Sequence, residues 1–166
     1  MKTRPYRSDD ATVLAALYVQ SVQQLGRAHY TPGQIAAWSA LAPSPERLEA
    51  QSRDGRLRLV AVDDTDRAVG FTDLEADGHI VYLYCAPVAA GRGVAAALYR
   101  ELERRAQERG IRSLYAEASE VARSFFLRQG FTLVGRREFL LDGIAIHNYA
   151  VEKTLTTPRD ARRLSS

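Results

Sequence analysis

Residues 81–109 read VYLYCAPVAAGRGVAAALYRELERRAQER, and this stretch decides the fold. It begins with an apolar, β-branched and aromatic run, Val81–Cys85, which is typical of a strand. Pro87 ends that strand, because proline cannot extend a hydrogen-bonded ladder. After a turn of small residues, apolar side chains recur at helical spacing from Val94 through Leu98. The stretch therefore predicts a strand, a glycine-rich turn and a long helix.

The start of this helix is a candidate anion site. Its first backbone N–H groups have no partner within the helix and carry a partial positive charge. Gly91 and Gly93 let a ligand approach the backbone closely, and Arg92 adds a full positive charge. A pyrophosphate suits such a turn best. The same spacing is also typical of a plain strand-to-helix turn, and the pattern alone leaves both interpretations open.

Two common phosphate-binding motifs fit this turn poorly. A P-loop requires Lys-Ser/Thr after its last glycine, and neither residue follows Gly93. A dinucleotide fingerprint requires Gly-x-Gly-x-x-Gly/Ala, which Ala96 completes only in part. The turn also lies in the middle of the chain, after several short predicted strands, whereas a Rossmann unit places it near the start of a repeated βαβ pattern. This position argues against a nicotinamide enzyme.

Two sequence blocks resemble the GNAT-type N-acetyltransferases. Residues 90–95, AGRGVA, are similar to the family pattern Gln/Arg-x-x-Gly-x-Gly/Ala and depart from it at Ala90. Residues 119–131 are similar to Asn-x-x-Ala-x-x-Phe-Tyr-x-x-x-Gly-Phe, with Ser119 at the asparagine position and Phe126 at the tyrosine position. The blocks occur in the family's order, and the resemblance covers roughly residues 3–155. The HYTP segment, the Phe-Phe pair and Asn148 resemble the YafP-like branch.

The resemblance implies the fold and the co-substrate. It implies a single-domain α/β fold whose mixed, mostly antiparallel central sheet is flanked by helices and splayed between its two middle parallel strands. The acetyltransferase domain is expected over residues 1–155, followed by a polar tail over residues 156–166. Acetyl-CoA is the implied co-substrate, and no metal is expected. The implied coenzyme-binding residues are Leu83, Tyr84, Cys85, Gly91, Arg92, Gly93, Val94, Ala95, Ala96, Ser119 and Phe126.

The catalytic residues follow from the resemblance less directly. Many relatives protonate the leaving thiolate with a tyrosine at the position of Phe126, which cannot titrate. We expect Tyr84 to take that role, with Tyr115 and Tyr30 as alternatives, although a thiolate can also leave unaided. Glu117, expected near the splay, is the candidate base, and partial burial there would raise its pKa. A purely structural hydrogen bond from Glu117 is the alternative.

The acceptor pocket is implied by the same resemblance. The first two helices of GNAT-type folds form part of the acceptor wall, so His29, Tyr30 and Trp38 are expected to line it. His147 and Asn148, on the last predicted strand, are expected to reach it as well. Core packing of the tryptophan, a loop position for His29 and a cross-strand role for the last pair are the alternatives.

Two residues of the implied coenzyme site carry alternatives of their own. Ser119 can contact the coenzyme, as asparagine does in relatives, or it can serve only as the N-cap of the next helix. Cys85 invites interpretation as a nucleophile, but no histidine is near it in sequence, and direct transfer needs no acyl-enzyme. We therefore expect Cys85 to act as a small apolar strand residue.

Composition sets the compartment and excludes several classes of partner. The 166 residues are 46% hydrophobic, with a net charge of +3 and a pI of about 9.2. No basic run with interleaved aromatics is found, so no nucleic-acid partner is expected. No apolar run suits a membrane span or a signal peptide. The single cysteine excludes an internal disulfide and fits a reducing cytoplasm.

The predicted function is transfer of an acetyl group from acetyl-CoA to an amine of a small molecule or peptide by direct attack. A non-catalytic acyl-CoA-binding or sensing module is the main alternative, because Ala90 and Phe126 depart from the family pattern. A toxin-like acylator of aminoacyl-tRNA is disfavoured by the absence of a basic stripe. A homodimer is plausible because the terminal strand pair offers an edge.

Overall fold

The computed structural model describes residues 1–156 and residue 163, so the predicted tail lies almost wholly outside the described residues. In this part of the chain the strands and helices form a mixed α/β arrangement. Their bounds, in chain order, are β1 (Lys2–Pro5), α1 (Ala11–Leu25), α2 (Pro32–Ser39), α3 (Pro45–Gln51), β2 (Leu57–Val62), β3 (Ala68–Leu74), β4 (Leu83–Cys85), α4 (Val94–Glu108), β5 (Ser113–Ala118), α5 (Glu120–Arg128), β6 (Thr132–Leu141) and β7 (Ile144–Thr154).

The strands form two antiparallel groups that meet at one short parallel contact. The first group has the order β1-β2-β3-β4 and the second has the order β5-β7-β6. At the junction, Ile80 N–H donates to Tyr115 O (2.9 Å) and Tyr115 N–H donates to Gly78 O (3.0 Å). Beyond this contact, among the described residues, β4 and β5 share no ladder. The predicted mixed, mostly antiparallel and splayed sheet is confirmed.

A buried carboxylate interrupts the strand before the glycine turn. The sequence predicts a continuous strand over His79–Cys85, but only Leu83–Cys85 pairs with β3. Tyr82 N–H donates instead to Asp73 Oδ1 (3.0 Å), and Tyr82 O accepts from the backbone N–H of Asp73. Asp73 is completely buried and is paired with Arg58 at 3.3 Å. Because a side chain takes a hydrogen bond that would otherwise extend the ladder, regular pairing begins only at Leu83.

Both long helices pack on the first group of strands. Leu14 of α1 and Leu98 and Leu102 of α4 are fully buried with Phe71 of β3. Gly70 of β3 lies so close to α4 that an added Cβ would meet Val94 Cγ1 at 2.7 Å. The start of α4 is therefore fixed directly against β3 and beside β4.

Helix ends follow the chemistry of their capping residues. Thr31 accepts from Gln34 N–H and Gln34 closes the capping box on α2, while Ser119 accepts from Ala122 N–H at the start of α5. Gly110 ends α4 with a φ of +73°. Within the part of the chain that the structure describes, no helix combines the length and apolar character needed to cross a bilayer.

Candidate active site

Two adjacent cavities lie where β4 and β5 separate. One, which we call the helix-start cavity, has a volume of about 390 Å³ and lies between the first turn of α4, α5 and α1. The other, which we call the splay cavity, has a volume of about 150 Å³ and lies between β4, β5, α2 and the ends of β6 and β7. Both cavities are lined by Trp38, Leu83, Tyr84, Ser119 and Ala122. The two cavities therefore share part of their walls.

The first turn of α4 faces the helix-start cavity with free backbone N–H groups. Gly93, the N-cap, adopts a φ of +78°, and Gly91 a φ of +74°. Ala97 N–H donates to Gly93 O at 3.0 Å, which leaves the amides of the preceding turn without acceptors in the helix. Among the described residues, and apart from the adjacent residues in the chain, no atom lies within 4 Å of a Cβ built on either glycine, so the approach to these amides is open. This geometry suits a bound anion.

Glu117, which lines the splay cavity, is hydrogen-bonded to His79 at the junction of the two strand groups. Glu117 Oε2 is 2.6 Å from His79 Nε2, and His79 Nδ1 is 2.9 Å from Glu75 Oε1. Arg137 Nη1 lies 3.7 Å from the other oxygen of Glu117. The hydrogen bond with His79 lowers the pKa of Glu117 despite partial burial, and the same bond raises the pKa of His79. Glu117 is therefore ionised at neutral pH and can accept a proton.

This result corrects the expectation of a raised pKa at Glu117. The expectation considered burial alone, whereas hydrogen bonding to the charged form outweighs it here. Sequence reasoning missed His79, which lies 38 residues from Glu117 and reaches it only through the junction of the two strand groups. The only local signal was its position directly after the Asp77-Gly78 turn.

A second polar network fixes the opposite wall of the splay cavity. Glu120 Oε1 accepts from Tyr149 OH (2.6 Å) and lies 2.7 Å from His147 Nε2. Glu120 N–H donates to Tyr30 OH (2.9 Å), and the Tyr30 ring packs against Trp38 with centroids 5.3 Å apart. The hydrogen bond from Tyr149 is the main reason that the pKa of Glu120 is lowered. These contacts hold one tyrosine, one tryptophan and one histidine against the cavity.

Comparison with known proteins identifies the family. Residues 27–153 match the family model described as the acetyltransferase (GNAT) domain. The chain belongs to the GNAT acetyltransferases. The resemblance seen in the two motifs is thereby confirmed, whereas the YafP-like branch stays a prediction. No curated protein matches the chain.

Solved structures support the same assignment. A GCN5-related N-acetyltransferase from Rhodopseudomonas palustris is 34% identical, with 92% of this chain and 94% of that one covered and a TM-score of 0.84. A ribosomal-protein-alanine N-acetyltransferase from Brucella melitensis is 26% identical, with coverage of 93% and 100% and a TM-score of 0.73. The PaiA N-acetyltransferase from Thermoplasma acidophilum, solved with coenzyme A, is 21% identical, with coverage of 93% and 98% and a TM-score of 0.74.

Most of the residues predicted to bind the coenzyme in this acetyltransferase line the helix-start cavity. Arg92 does not line either cavity, and the cation in the lining of the helix-start cavity is Arg128, which sequence reasoning missed. Phe126, only 2% exposed, lines the splay cavity instead. Ser119 is an N-cap and also lines both cavities, so its two interpretations are compatible. The predicted residues that line the helix-start cavity are Leu83, Tyr84, Cys85, Gly91, Gly93, Val94, Ala95, Ala96 and Ser119.

The residues predicted to bind the acceptor line the splay cavity, with the exception of His29. Tyr30, Trp38 and Asn148 line the splay cavity, together with His147. His29 is exposed and lines neither cavity, although its neighbours Gly26 and Tyr30 in the turn between α1 and α2 do. Among the described residues, Asn148 Oδ1 has no hydrogen-bond partner, and this atom is buried with almost no accessible surface.

Three residues considered for proton transfer or nucleophilic attack have distinct environments. Tyr84 lines both cavities, its ring centroid is 4.4 Å from that of Tyr18, and burial raises its pKa well above the ordinary value. Burial raises the pKa of Cys85 to about 11, so the thiol is neutral at physiological pH and is a poor nucleophile. Tyr115 OH donates to Asp77 at 2.6 Å, and Tyr115 lines neither cavity.

Proposed function

We propose that this GNAT acetyltransferase moves an acetyl group from acetyl-CoA to an amine of a small molecule or peptide by direct attack. The observation that carries the proposal is the adjacency of the two cavities, with free amides of α4 beside one and ionised Glu117 beside the other. The T. acidophilum relative, which was solved with coenzyme A, adds support through its similar fold.

The helix-start cavity suits the coenzyme. The pyrophosphate would accept hydrogen bonds from the amides of the first turn of α4, and Arg128 would add a positive charge. The pantetheine arm would follow Leu83–Cys85, whose edge away from β3 has no strand beside it among the described residues. A backbone N–H near Cys85 would then polarise the thioester carbonyl, as an oxyanion hole does.

Proton transfer in the splay cavity would use Glu117. The carboxylate accepts one proton from the substrate ammonium, and the neutral amine nitrogen bonds to the carbonyl carbon. The C–S bond then breaks to release a thiolate, and the nitrogen loses its second proton to water as the amide forms. His79 acts as a positioning residue, because its hydrogen bond fixes the carboxylate and keeps it ionised. Tyr84 holds its proton more tightly than a thiol of pKa about 8.5, so it would hydrogen-bond the thiolate rather than protonate it fully.

The test is Glu117→Gln, which keeps the shape of the side chain and removes the base. We expect kcat/KM for the amine to fall by about 10² to 10⁴, the contribution of general base catalysis, with unchanged affinity for acetyl-CoA. Glu138→Gln is the matched control, since its side chain is 75% exposed and lies outside both cavities. Free thiol release measures turnover, and a Glu117→Gln enzyme with the wild-type rate would remove the base from the proposal.

A non-catalytic acyl-CoA-binding module is the second candidate, and the observation in its favour is Phe126 at the usual tyrosine position. Calorimetric binding of acetyl-CoA without thiol release on any amine would favour it.

We further propose an acetyltransferase unit over residues 1–155, a homodimer that uses the edge strand β6, and action in the cytoplasm. The single thiol, Cys85, supports the cytoplasmic location, and the exposed apolar residues Leu133 and Val134 on β6 support the dimer.

A further inference from the structure

We infer that the acceptor is a primary monoamine whose body is one uncharged apolar group about the size of a benzene ring. The inference rests on the proposed function and narrows its substrate class. Three features of the splay cavity carry it: its volume, the charge of its lining and the rigidity of its aromatic wall.

The volume sets the size of the acceptor body. The splay cavity measures about 150 Å³. An apolar cavity of about that volume holds one benzene molecule. Most of the lining is apolar or aromatic, with Trp38, Phe139, Leu141 and Ile146 among its members. A body of one ring or one branched alkyl group fits this space, whereas a sugar ring with several ammonium groups or an extended peptide exceeds it.

The charge of the lining suits a single ammonium group, because Glu117 supplies one carboxylate. Of the described residues that line the splay cavity, none is lysine or arginine. A substrate carboxylate or phosphate would therefore be desolvated without a cationic partner, which is costly. A second substrate ammonium would likewise lack a carboxylate.

Two further polar groups of the wall are already engaged. Tyr30 OH accepts from Glu120 N–H, and His147 Nε2 is paired with the carboxylate of Glu120. Because these bonds fix Tyr30 and His147, the wall presents ring faces and edges to the acceptor more than free donors. Aromatic walls of this kind favour an aryl or alkyl body over a hydroxylated one.

The first experiment compares acceptors on the wild-type enzyme with saturating acetyl-CoA and thiol release as the readout. The probes are phenethylamine, phenylalanine, spermidine and a tripeptide amide with a free N-terminus. We expect kcat/KM for phenethylamine to exceed that of each other probe by at least about tenfold, the order of discrimination that a shaped apolar pocket provides. Preferred turnover of any of the other three overturns the inference and leaves the proposed function standing.

The second experiment places a charge in the cavity wall. Phe139→Asp should raise KM for phenethylamine at least about tenfold, leave KM for acetyl-CoA unchanged, and improve turnover of spermidine relative to phenethylamine. Leu140→Asp is the matched control on the same strand, since Leu140 is 70% exposed and lines neither cavity.

The outcomes separate the two proposals. Equal KM values for phenethylamine in the Phe139→Asp and Leu140→Asp enzymes, with both folded by circular dichroism, would overturn the inference. Absence of thiol release with every amine, despite calorimetric binding of acetyl-CoA, would instead overturn the proposed function, and the inference would fall with it.

Discussion

Gly78→Ala should open the junction at which the two groups of strands meet. Gly78 adopts a φ of +98°, and a Cβ at this position would lie 2.0 Å from the backbone oxygen of Ser113. Real Cβ atoms essentially never come within 3.0 Å of such a neighbour, so the backbone must move by at least about 1 Å. That displacement would strain the hydrogen bonds between Tyr115 and both Gly78 and Ile80.

The magnitude has two parts. A left-handed conformation costs an alanine roughly 1–2 kcal/mol relative to glycine. Overpacking against an atom that cannot move aside adds roughly 1–3 kcal/mol. We therefore expect Gly78→Ala to lower the free energy of unfolding by about 2–5 kcal/mol, a large fraction of the 5–15 kcal/mol that is typical of a domain.

Gly55→Ala is the matched control, because Gly55 has a similar φ of +89° and no other atom lies within 4 Å of its Cβ. Both variants share the conformational cost and the reduced entropy of the unfolded chain, so the difference between their unfolding free energies gives the cost of overpacking. Urea unfolding monitored by circular dichroism measures it. Gly78→Ala should also lose more acetyl-transfer activity, since the contact between His79 and Glu117 depends on the junction. Equal unfolding free energies for the two variants would refute the reasoning.

Three further predictions concern the start of α4, the thiol of Cys85 and the hydrogen-bonded pair of His79 and Glu117. Gly93→Asp should weaken acetyl-CoA binding by calorimetry at least about tenfold, whereas Gly110→Asp, at an equally open left-handed position at the other end of α4, should not. Cys85 should react with iodoacetamide at neutral pH roughly a hundredfold more slowly than free cysteine, because burial raises its pKa to about 11; unfolding in urea should restore the rate. Folding raises the pKa of His79, so the stabilisation from its protonated form should be complete below pH about 6.5 and should decline as pH rises through the raised pKa. Folding lowers the pKa of Glu117, so the stabilisation from its ionised form should be lost only as pH falls through the lowered pKa. The stability difference between wild type and His79→Gln, measured against pH, should therefore shrink on the alkaline side, and a difference independent of pH would contradict the assignment.

Local sequence was sufficient wherever a residue acts on its own backbone. Thr31 and Ser119 cap their helices through their own hydroxyl groups, and Gly93 and Gly110 take the left-handed conformations that bound α4. These effects need no distant partner, because capping and φ preference are properties of a few consecutive residues. The glycine turn, the strand and helix around it, and hence the free amides at the start of α4, were therefore predictable.

The sequence by itself thus determined the family, the order of its elements and most of the residues that line the helix-start cavity. The tertiary structure alone decided the hydrogen bond from Tyr82 to Asp73 before β4, the presence of Arg128 rather than Arg92 in the cavity lining and the partner of Glu117. Each depends on groups far apart in the chain, and the protonation of a carboxylate follows from whichever donor the fold brings beside it. Burial alone predicts a raised pKa for Glu117, whereas the hydrogen bond with His79, 2.6 Å away, lowers it.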